Sequence, residues 1–290
     1  MIRGLLVVNA FLRTTKFDDI YLTLLASAKE CGMDLDVHTN AELCCVVDTP
    51  KFQPERYHFV LFWDKDVQLA AQLSARGLRI FNTPNSILQC DDKALTYLCL
   101  KEAGIPTPRT LLAPKTFANI GYTSLAFVEE AAQALGLPLV LKECFGSFGQ
   151  QVYLFHNIED LKQKVKSLAG TPMLFQELIK ESFGRDARLN FVGGRMVAAM
   201  LRTATDGDFR SNLSRGGSMA SYTPSPAEEA LALRAVHCLG LDFAGVDVLF
   251  GQNGPLICEV NSNAHFKTTL ECTGVNMATE IMKHIAKQIG

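Results

Sequence analysis

The sequence lacks the marks of several large classes of protein. No apolar run approaches the roughly 20 residues that a membrane span requires, and no Cys-x-x-Cys pair points to a zinc or redox site. The nine cysteines are odd in number and scattered among apolar neighbours, which is typical of reduced core thiols. We therefore expect a cytoplasmic protein without a membrane partner.

The sequence also lacks a large net charge of either sign. The 28 basic and 30 acidic side chains leave a net charge of −2, which gives no electrostatic reason to expect nucleic acid as a partner. The short apolar run in residues 1–9 carries one positive charge. We interpret it as a first β-strand rather than a signal peptide.

Strand and helix patterns alternate over residues 5–83, which predicts a small α/β domain with an open, mostly parallel sheet. The predicted strands are 5–11, 58–63 and 79–82, and the predicted helices are 17–31 and 67–76. A helix then begins at Asp91-Asp92-Lys93, with Leu95, Leu98 and Cys99 as its predicted apolar face. The prolines at 106 and 108 prevent its continuation.

Two further units follow this helix. The first extends to residue 180, and its pattern predicts a helix, a strand, a glycine loop, a strand, a helix and a strand in that order. The second, 181–290, contains two strands, a helix from Ser225-Pro226 with Glu228 in capping-box position, a closing hairpin and a C-terminal helix.

The glycine loop follows Lys142 and contains Gly146, Ser147 and Gly149. Glycines let backbone N–H groups approach an anion closely, and a lysine adds a point charge for the same phosphates. The loop lacks the Gly-Lys-Ser/Thr of a P-loop and the spaced glycines of a dinucleotide fingerprint. Taken alone, it predicts either a phosphate cradle or an ordinary turn.

Residues 243–261 read as a β-hairpin of apolar strands with oxygen-bearing side chains on one face. If the hairpin is centred on Asn253, Asp247 lies opposite Glu259, and Asn261 shares the face of Glu259. Two carboxylates so close repel each other unless a cation or a proton lies between them, and oxygen ligands suit Mg²⁺. The alternative is a pair of ordinary salt bridges at a sheet edge.

Arginines and glycines are concentrated in residues 184–188, 200–202 and 207–217. Guanidinium groups form paired hydrogen bonds with phosphate and carboxylate, so these stretches are candidates to hold an acyl phosphate and an anionic substrate. The alternative is a solvated surface loop.

Taken in this order, these residues resemble the ATP-grasp superfamily and, within it, the RimK-like ligases that attach glutamate or related amino acids. The resemblance covers essentially the whole chain. It implies an α/β protein of ATP-grasp fold, with an N-terminal Rossmann-like domain at 1–90, a linker helix and small α+β lid at 91–180, and a C-terminal α+β domain at 181–290.

The resemblance also implies the roles of individual residues. ATP would be bound by the lysines Lys93 and Lys142, the loop residues Gly146, Ser147 and Gly149, the hinge residues Gln176, Glu177, Leu178 and Ile179, and by Asp186, Arg210, Ser211 and Asn212. Arg202 and Arg210 would be catalytic. Asp247, Glu259 and Asn261 would hold Mg²⁺ or Mn²⁺.

The implied activity is ATP-dependent ligation of a carboxylate to an amine through an acyl phosphate, with ADP and phosphate as products. The partners would be an amino-acid or carboxylate substrate and an amine on a small molecule or peptide, and a homo-oligomer is compatible with the sequence. The mechanism needs no covalent enzyme intermediate, so no Ser-His-Asp set is expected. The alternative is an ATP-binding regulatory protein of the same fold that has lost turnover.

Two segments depart from the family pattern. Gln150-Gln151 stand where a further glycine is common, and residues 262–267 replace a small, proline-containing continuation. The second segment would border the acceptor pocket, where Arg215 and Lys267 favour an acidic, glutamate-like substrate. His265 is predicted to be structural rather than catalytic.

Overall fold

The computed structural model describes residues 2–12, 14–47, 53–147, 149–211 and 216–290. Their strands form three sheets, one within each of the three spans predicted from the sequence. In these ranges no helix combines the length and the apolar character needed to cross a membrane.

The first sheet is parallel, in the order β2-β1-β3-β4. Its strands are β1 (Ile2–Val8), β2 (Met33–Thr39), β3 (Phe59–Trp63) and β4 (Ile80–Phe81). Its helices are α1 (Thr15–Glu30), α2 (Asn40–Leu43), α3 (Val67–Ala75) and α4 (Pro84–Asp91). The predicted parallel α/β unit is confirmed, with β2 and α4 as elements that the sequence did not indicate.

The order of this sheet creates a switch point between β1 and β3, because the chain leaves these neighbouring strands towards opposite edges. Open parallel sheets commonly bind ligands at the carboxyl ends of such strands. Asn9 and Asp64 follow the two strands, and Asn9 Nδ2 donates to both carboxylate oxygens of Asp64 at 3.1 and 3.3 Å.

Helix α5 (Lys93–Glu102) begins where predicted, and the side chain of its N-cap, Asp92, accepts from two backbone N–H groups of the first turn. The predicted apolar face is wrong at Leu98, which is 52% exposed. The helix instead buries Tyr97, whose hydroxyl donates to Cys258 O at 2.6 Å. This bond directs the buried face of α5 towards the closing hairpin.

The second sheet is antiparallel, in the order β5-β8-β6-β7. Its strands are β5 (Thr110–Leu112), β6 (Leu139–Glu143), β7 (Val152–Phe155) and β8 (Met173–Glu177). Helices α6 (Ala126–Leu135) and α7 (Ile158–Ser167) pack on it through a core that includes Val128, Leu161 and Phe175. The glycine loop joins β6 to β7.

The third sheet is antiparallel, in the order β11-β10-β9-β12-β13. Its strands are β9 (Arg185–Val192), β10 (Arg195–Thr203), β11 (Ser218–Ser221), β12 (Phe243–Gly251) and β13 (Gly254–Asn261). The remaining helices are α8 (Pro226–Cys238), α9 (Lys267–Thr273) and α10 (Met277–Ile289), with short 3₁₀ helices at Pro54–Arg56 and Lys180–Ser182. The capping box predicted for α8 is present between Ser225 and Glu228.

The first and third sheets share buried structure. Met282 and Ile285 of α10 lie in the same apolar core as Leu24 of α1. The buried Asn82 donates from Nδ2 to Phe243 O and Ser262 O, both at 2.9 Å. Because Ser262 directly follows β13, this contact fixes the segment that leaves the carboxylate hairpin.

Candidate active site

A cavity of about 570 Å³ is lined by residues of all three sheets. The predicted site residues that line it are Lys93, Lys142, Gly146, Ser147, Gly149, Gln176, Leu178, Ile179, Asp186, Arg202, Arg210, Ser211, Asp247, Glu259 and Asn261. The fold thus brings together motifs that are widely separated along the chain.

Two predicted residues are not placed in this cavity. The carboxylate of Glu177 accepts from Arg109 N at 2.7 Å, and Glu177 lines a different cavity behind the hinge. Asn212 lies outside the described residues, as does Arg215 of the predicted acceptor loop.

The closing hairpin pairs Asp247 with Glu259 as predicted, but a β-bulge produces this pairing. The turn is centred between Gln252 and Asn253 rather than on Asn253. Regular pairing from that turn would place Cys258 opposite Asp247. The bulge inserts Cys258 as an extra residue, so that both it and Glu259 line the cavity.

Asp247 is buried and held by two arginines. Arg188 donates to both of its carboxylate oxygens, with Nη2 at 2.7 Å from Oδ2, and Arg202 Nη2 lies 3.0 Å from Oδ2. Burial alone would raise the pKa of Asp247, but the charges of Arg188 and Arg202 outweigh burial and lower it. Asp247 is therefore ionised at neutral pH.

Arg202 also forms a two-point pair with Asp186, at 2.7 Å from Nε to Oδ1 and 2.6 Å from Nη2 to Oδ2. Because Asp186 and Arg188 lie two apart on β9, their side chains share one face of the sheet. Positive and negative groups thus alternate along one connected series of ion pairs, from Asp186 through Arg202 and Asp247 to Arg188. Removing one member of such a buried pair typically costs about 3–5 kcal/mol.

Glu259 and Asn261 complete the oxygen-bearing set. The side chain of Glu259 is 35% exposed, and Oε1 lies 3.7 Å from Lys93 Nζ. No cluster of three His, Cys, Asp or Glu side chains suited to a metal occurs among the described residues. Two carboxylates and an amide oxygen still fit a hard cation such as Mg²⁺, which commonly fills its shell with water and phosphate oxygens.

The two predicted lysines line the same cavity but have different partners. Lys142 is only 7% exposed, and its Nζ donates to Tyr97 Oη at 3.3 Å and lies 3.7 Å from Cys258 Sγ. Lys93 Nζ donates to Gly146 O at 3.1 Å. Lys93 is therefore held at the glycine loop, whereas Lys142 is held beside α5 and the carboxylate hairpin.

Arg210 lies in the loop between β10 and β11 and contacts the hairpin formed by β6 and β7. Its Nη1 donates to Gly149 O at 2.8 Å and Val152 O at 3.0 Å, while the carboxylate of Asp208 accepts from its Nε and Nη2. In this structure Arg210 therefore holds the glycine loop, in addition to lining the cavity where the sequence predicted a catalytic arginine.

The end of the cavity beyond the carboxylates is formed largely by the first sheet, which the sequence did not indicate. Lys16, Phe17 and Ile20 of α1 and Trp63 of β3 line this end. The signal that could have identified it is the position of Trp63, at the carboxyl end of β3 and beside the switch point.

Asn263, Ala264, His265 and Lys267 also line the cavity, and their segment contacts the N-terminal α/β unit at three points. Asn263 Nδ2 donates to Asp64 O at 2.9 Å, His265 Nε2 lies 3.3 Å from Lys16 O, and Lys267 pairs with Asp19. We call residues 263–267, together with Lys16, Phe17, Ile20 and Trp63, the acceptor wall.

Three ionisable groups of the acceptor wall have altered proton affinity, and burial lowers the pKa of the first of them, Lys16. Burial and then the charge of Lys16 lower the pKa of His265 to about 4, so its imidazole is neutral at pH 7. The hydrogen bond and charge of Asp19 raise the pKa of Lys267. Because Asp19 balances its charge, Lys267 is a weaker argument for an acidic substrate than the sequence suggested.

Three sheets in this arrangement, with two lysines of the 91–180 span and a carboxylate hairpin of the 181–290 span lining one cavity, define an ATP-grasp protein. The structure is similar to the RimK domain ATP-grasp protein from Sphaerobacter thermophilus DSM 20745, with a TM-score of 0.74 and 22% identity over 97% of this chain and 98% of that one. The sequence model of the RimK-like ATP-grasp domain matches residues 90–285. The chain belongs to this family, as predicted.

Among its relatives, β-citrylglutamate synthase B of Danio rerio is 35% identical over 219 residues, which cover 74% of this chain and 52% of that protein. A protein of Histophilus somni (strain 2336) named probable alpha-L-glutamate ligase is 33% identical over 229 residues, or 76% of this chain and 74% of that protein. The chain thus spans about half the length of the animal synthase that it matches.

Proposed function

We propose that this chain is an ATP-dependent carboxylate–amine ligase, which adds glutamate or a similar amino acid to a peptide or small molecule through an acyl phosphate. The observation that carries the proposal is a single cavity containing Lys93, Lys142, the ionised Asp247 with Glu259, and Arg202. The names of the two relatives, a citrylglutamate synthase and a glutamate ligase, support glutamate as one substrate.

In the proposed first step, an oxygen of the substrate carboxylate bonds to the terminal phosphorus of ATP, and ADP leaves with the electrons of the broken P–O bond. Lys93 and Lys142 bind the phosphates as fixed point charges. Mg²⁺ or Mn²⁺, held by Asp247, Glu259 and Asn261, would neutralise charge on the transferring phosphoryl group. Catalysis then rests on positioning and charge.

In the second step, the amine nitrogen attacks the acyl carbon, an amide bond forms, and phosphate leaves. Arg202 lines the cavity beside Asp247, and its guanidinium is suited to stabilise charge on the acyl phosphate. The acceptor wall borders the space in which the two organic substrates would meet.

The test is a screen of paired carboxylates and amines with Mg-ATP, with phosphate release as the readout and product mass by mass spectrometry. We expect release to require both substrates, and one product mass to equal their sum less water. Hydroxylamine in place of the amine should yield a hydroxamate of the activated acid. Glu259→Gln serves as the inactive control.

ATP binding without phosphate release across the screen would contradict the proposal. That result would instead favour the alternative, an ATP-binding regulatory protein of the same fold.

A further inference from the structure

A lysine of the N-terminal α/β unit reaches the glycine loop. Lys65 lies two residues after the end of β3 and lines the cavity together with Ser147 of the loop. Its Nζ lies 3.4 Å from Ser147 Oγ, a contact between residues 82 positions apart in the chain. The sequence did not indicate that this unit touches the loop at all.

Asp91, the last residue of α4, holds the ammonium group of Lys65 in an ion pair. The two side chains are 43% and 19% exposed, so the pair lies at the edge of the cavity. Because Asp91 balances the charge of Lys65, this lysine is not a free cation for an anionic ligand. It instead offers Ser147 a hydrogen-bond donor that the ion pair holds in place.

The direction of the contact between Lys65 and Ser147 follows from the chemistry of the two groups. An ammonium group donates and has no lone pair, so Ser147 Oγ is the acceptor. The hydroxyl hydrogen of Ser147 therefore points away from Lys65 and is left to donate to a different acceptor. A hydroxyl that accepts from a cation is also polarised into a stronger donor.

A ligand in the cavity can reach the loop at this point. Ser147 is exposed and lines the cavity. Lys93 Nζ donates to the preceding Gly146 O, so two lysines from different units hold adjacent residues of the loop. The Ser147 hydroxyl is thus presented from a restrained segment of backbone.

Of the groups in the proposed reaction, the phosphates of ATP are the acceptors expected at the glycine loop. We infer that Lys65 is a positioning residue, which fixes the Ser147 hydroxyl as a hydrogen-bond donor to a phosphate oxygen of ATP. Lys65 acts through Ser147 and does not itself touch the nucleotide. This inference rests on the ATP binding of the proposed function, and it extends the phosphate site to a residue that precedes the RimK-like match at 90–285.

The test measures the Kd of Mg-ATP and of adenosine, without acid or amine, for Lys65→Met, Ser147→Ala and the double variant. Methionine keeps the length of the lysine side chain and removes the donor. We expect each single variant to raise the Kd of ATP about fivefold, the change typical of one hydrogen bond, and to leave that of adenosine within about twofold. Because both changes act through the same bond, the double variant should bind ATP no more weakly than Ser147→Ala.

Lys162→Met is the matched control, since Lys162 forms a similar ion pair with Glu129 but does not line the cavity. It should leave the Kd of ATP unchanged, and thermal unfolding monitors the fold of every variant. An unchanged Kd in Lys65→Met, equal losses for ATP and adenosine, or a roughly 25-fold loss in the double variant would overturn the inference while leaving the ligase proposal intact. A wild-type protein that does not bind ATP would overturn both.

Discussion

The two ends of the cavity differ in how their charges are satisfied. At the end that contains the carboxylate hairpin, which we call the phosphate end, two buried aspartates and two arginines form a connected series of ion pairs. The series runs from Asp186 through Arg202 and Asp247 to Arg188. At the acceptor wall the His265 imidazole is neutral and the Asn263 oxygen has no partner among the described residues. The charges of the first end are thus fixed in buried ion pairs, whereas the second end combines the more exposed Lys267–Asp19 pair with a neutral imidazole and an amide.

This difference separates two tasks. Electrostatic stabilisation of phosphoryl transfer needs fixed charges in a site from which water is excluded. The buried arginine–aspartate pairs supply such fixed charges. Selection of an amine needs directional hydrogen bonds, because buried polar groups discriminate strongly against a substrate that leaves them unpaired. Three predictions test whether the two ends behave differently.

The largest effect is expected at the carboxylate hairpin. Glu259→Gln and Asp247→Asn should each reduce turnover to well below a tenth of wild type, because each removes charge that Mg²⁺ requires. Only Asp247→Asn should also lower the melting temperature, since it leaves Arg188 and Arg202 without their shared buried anion. Steady-state kinetics and calorimetry measure the two properties.

Turnover above a tenth of wild type in both variants would rule out the proposed metal ligands. Equal melting temperatures would show that the buried ion pairs do not stabilise the phosphate end.

A smaller effect is expected from His265, which should make the acceptor wall sensitive to acid. Its folded pKa of about 4 lies below the ordinary value of 6.5, so the unfolded chain takes up the proton first as pH falls. The contribution to stability is complete above about pH 6.5 and is lost as pH falls towards 4. Lys16, Lys267 and Arg188 all oppose protonation of the folded form.

Denaturant unfolding of wild type and His265→Gln at pH 7 and pH 4.5 measures this contribution. We expect the wild type to lose about 2 kcal/mol more than the variant over this interval, after allowance for the partial exposure of the ring. Parallel losses in the two proteins would contradict the assignment of a neutral, buried imidazole.

The smallest effect is expected at the lid. Arg210→Gln removes the charged donor to Gly149 O and Val152 O, and a hydrogen bond of this kind contributes about 1 kcal/mol. Amide hydrogen exchange between Gly146 and Gln151 should therefore be about fivefold faster in the variant without nucleotide. In the wild type, saturating Mg-ATP should slow exchange in the same segment.

Exchange that Mg-ATP leaves unchanged would contradict closure of the lid over nucleotide. Exchange that Arg210→Gln leaves unchanged would show that Arg210 does not restrain the lid.

The phosphate end could be predicted because its motifs are local. A strand of period two and a short turn suffice to place Asp247 within one residue of Glu259 across the hairpin, and Lys142 is continuous with its glycine loop. Even there the sequence did not reveal the bulge at Cys258, because the one-residue shift depends on how β13 packs against its neighbours.

The acceptor wall could not be predicted because it is assembled from distant segments. Asn263 and Asp64, which touch through one hydrogen bond, are 199 residues apart. Strand β2 is an edge strand whose buried Met33, Leu35 and Thr39 are separated by less buried residues, so it lacks the continuous apolar run by which β1 and β3 were predicted. The buried face of α5 depends on Tyr97 reaching Cys258 O, a tertiary contact that helical spacing cannot reveal.

The switch point of the first sheet has a consequence for how this enzyme family can diversify. The match to the RimK-like domain begins at residue 90, whereas Lys16, Phe17, Ile20 and Trp63 of the acceptor wall precede it. Under the proposed function, we expect substitutions in these residues to change which molecules are joined while leaving Lys142 and the carboxylate hairpin in place. An exchange of residues 2–81 between relatives would test this expectation, and it would have to preserve the core that α1 shares with α10.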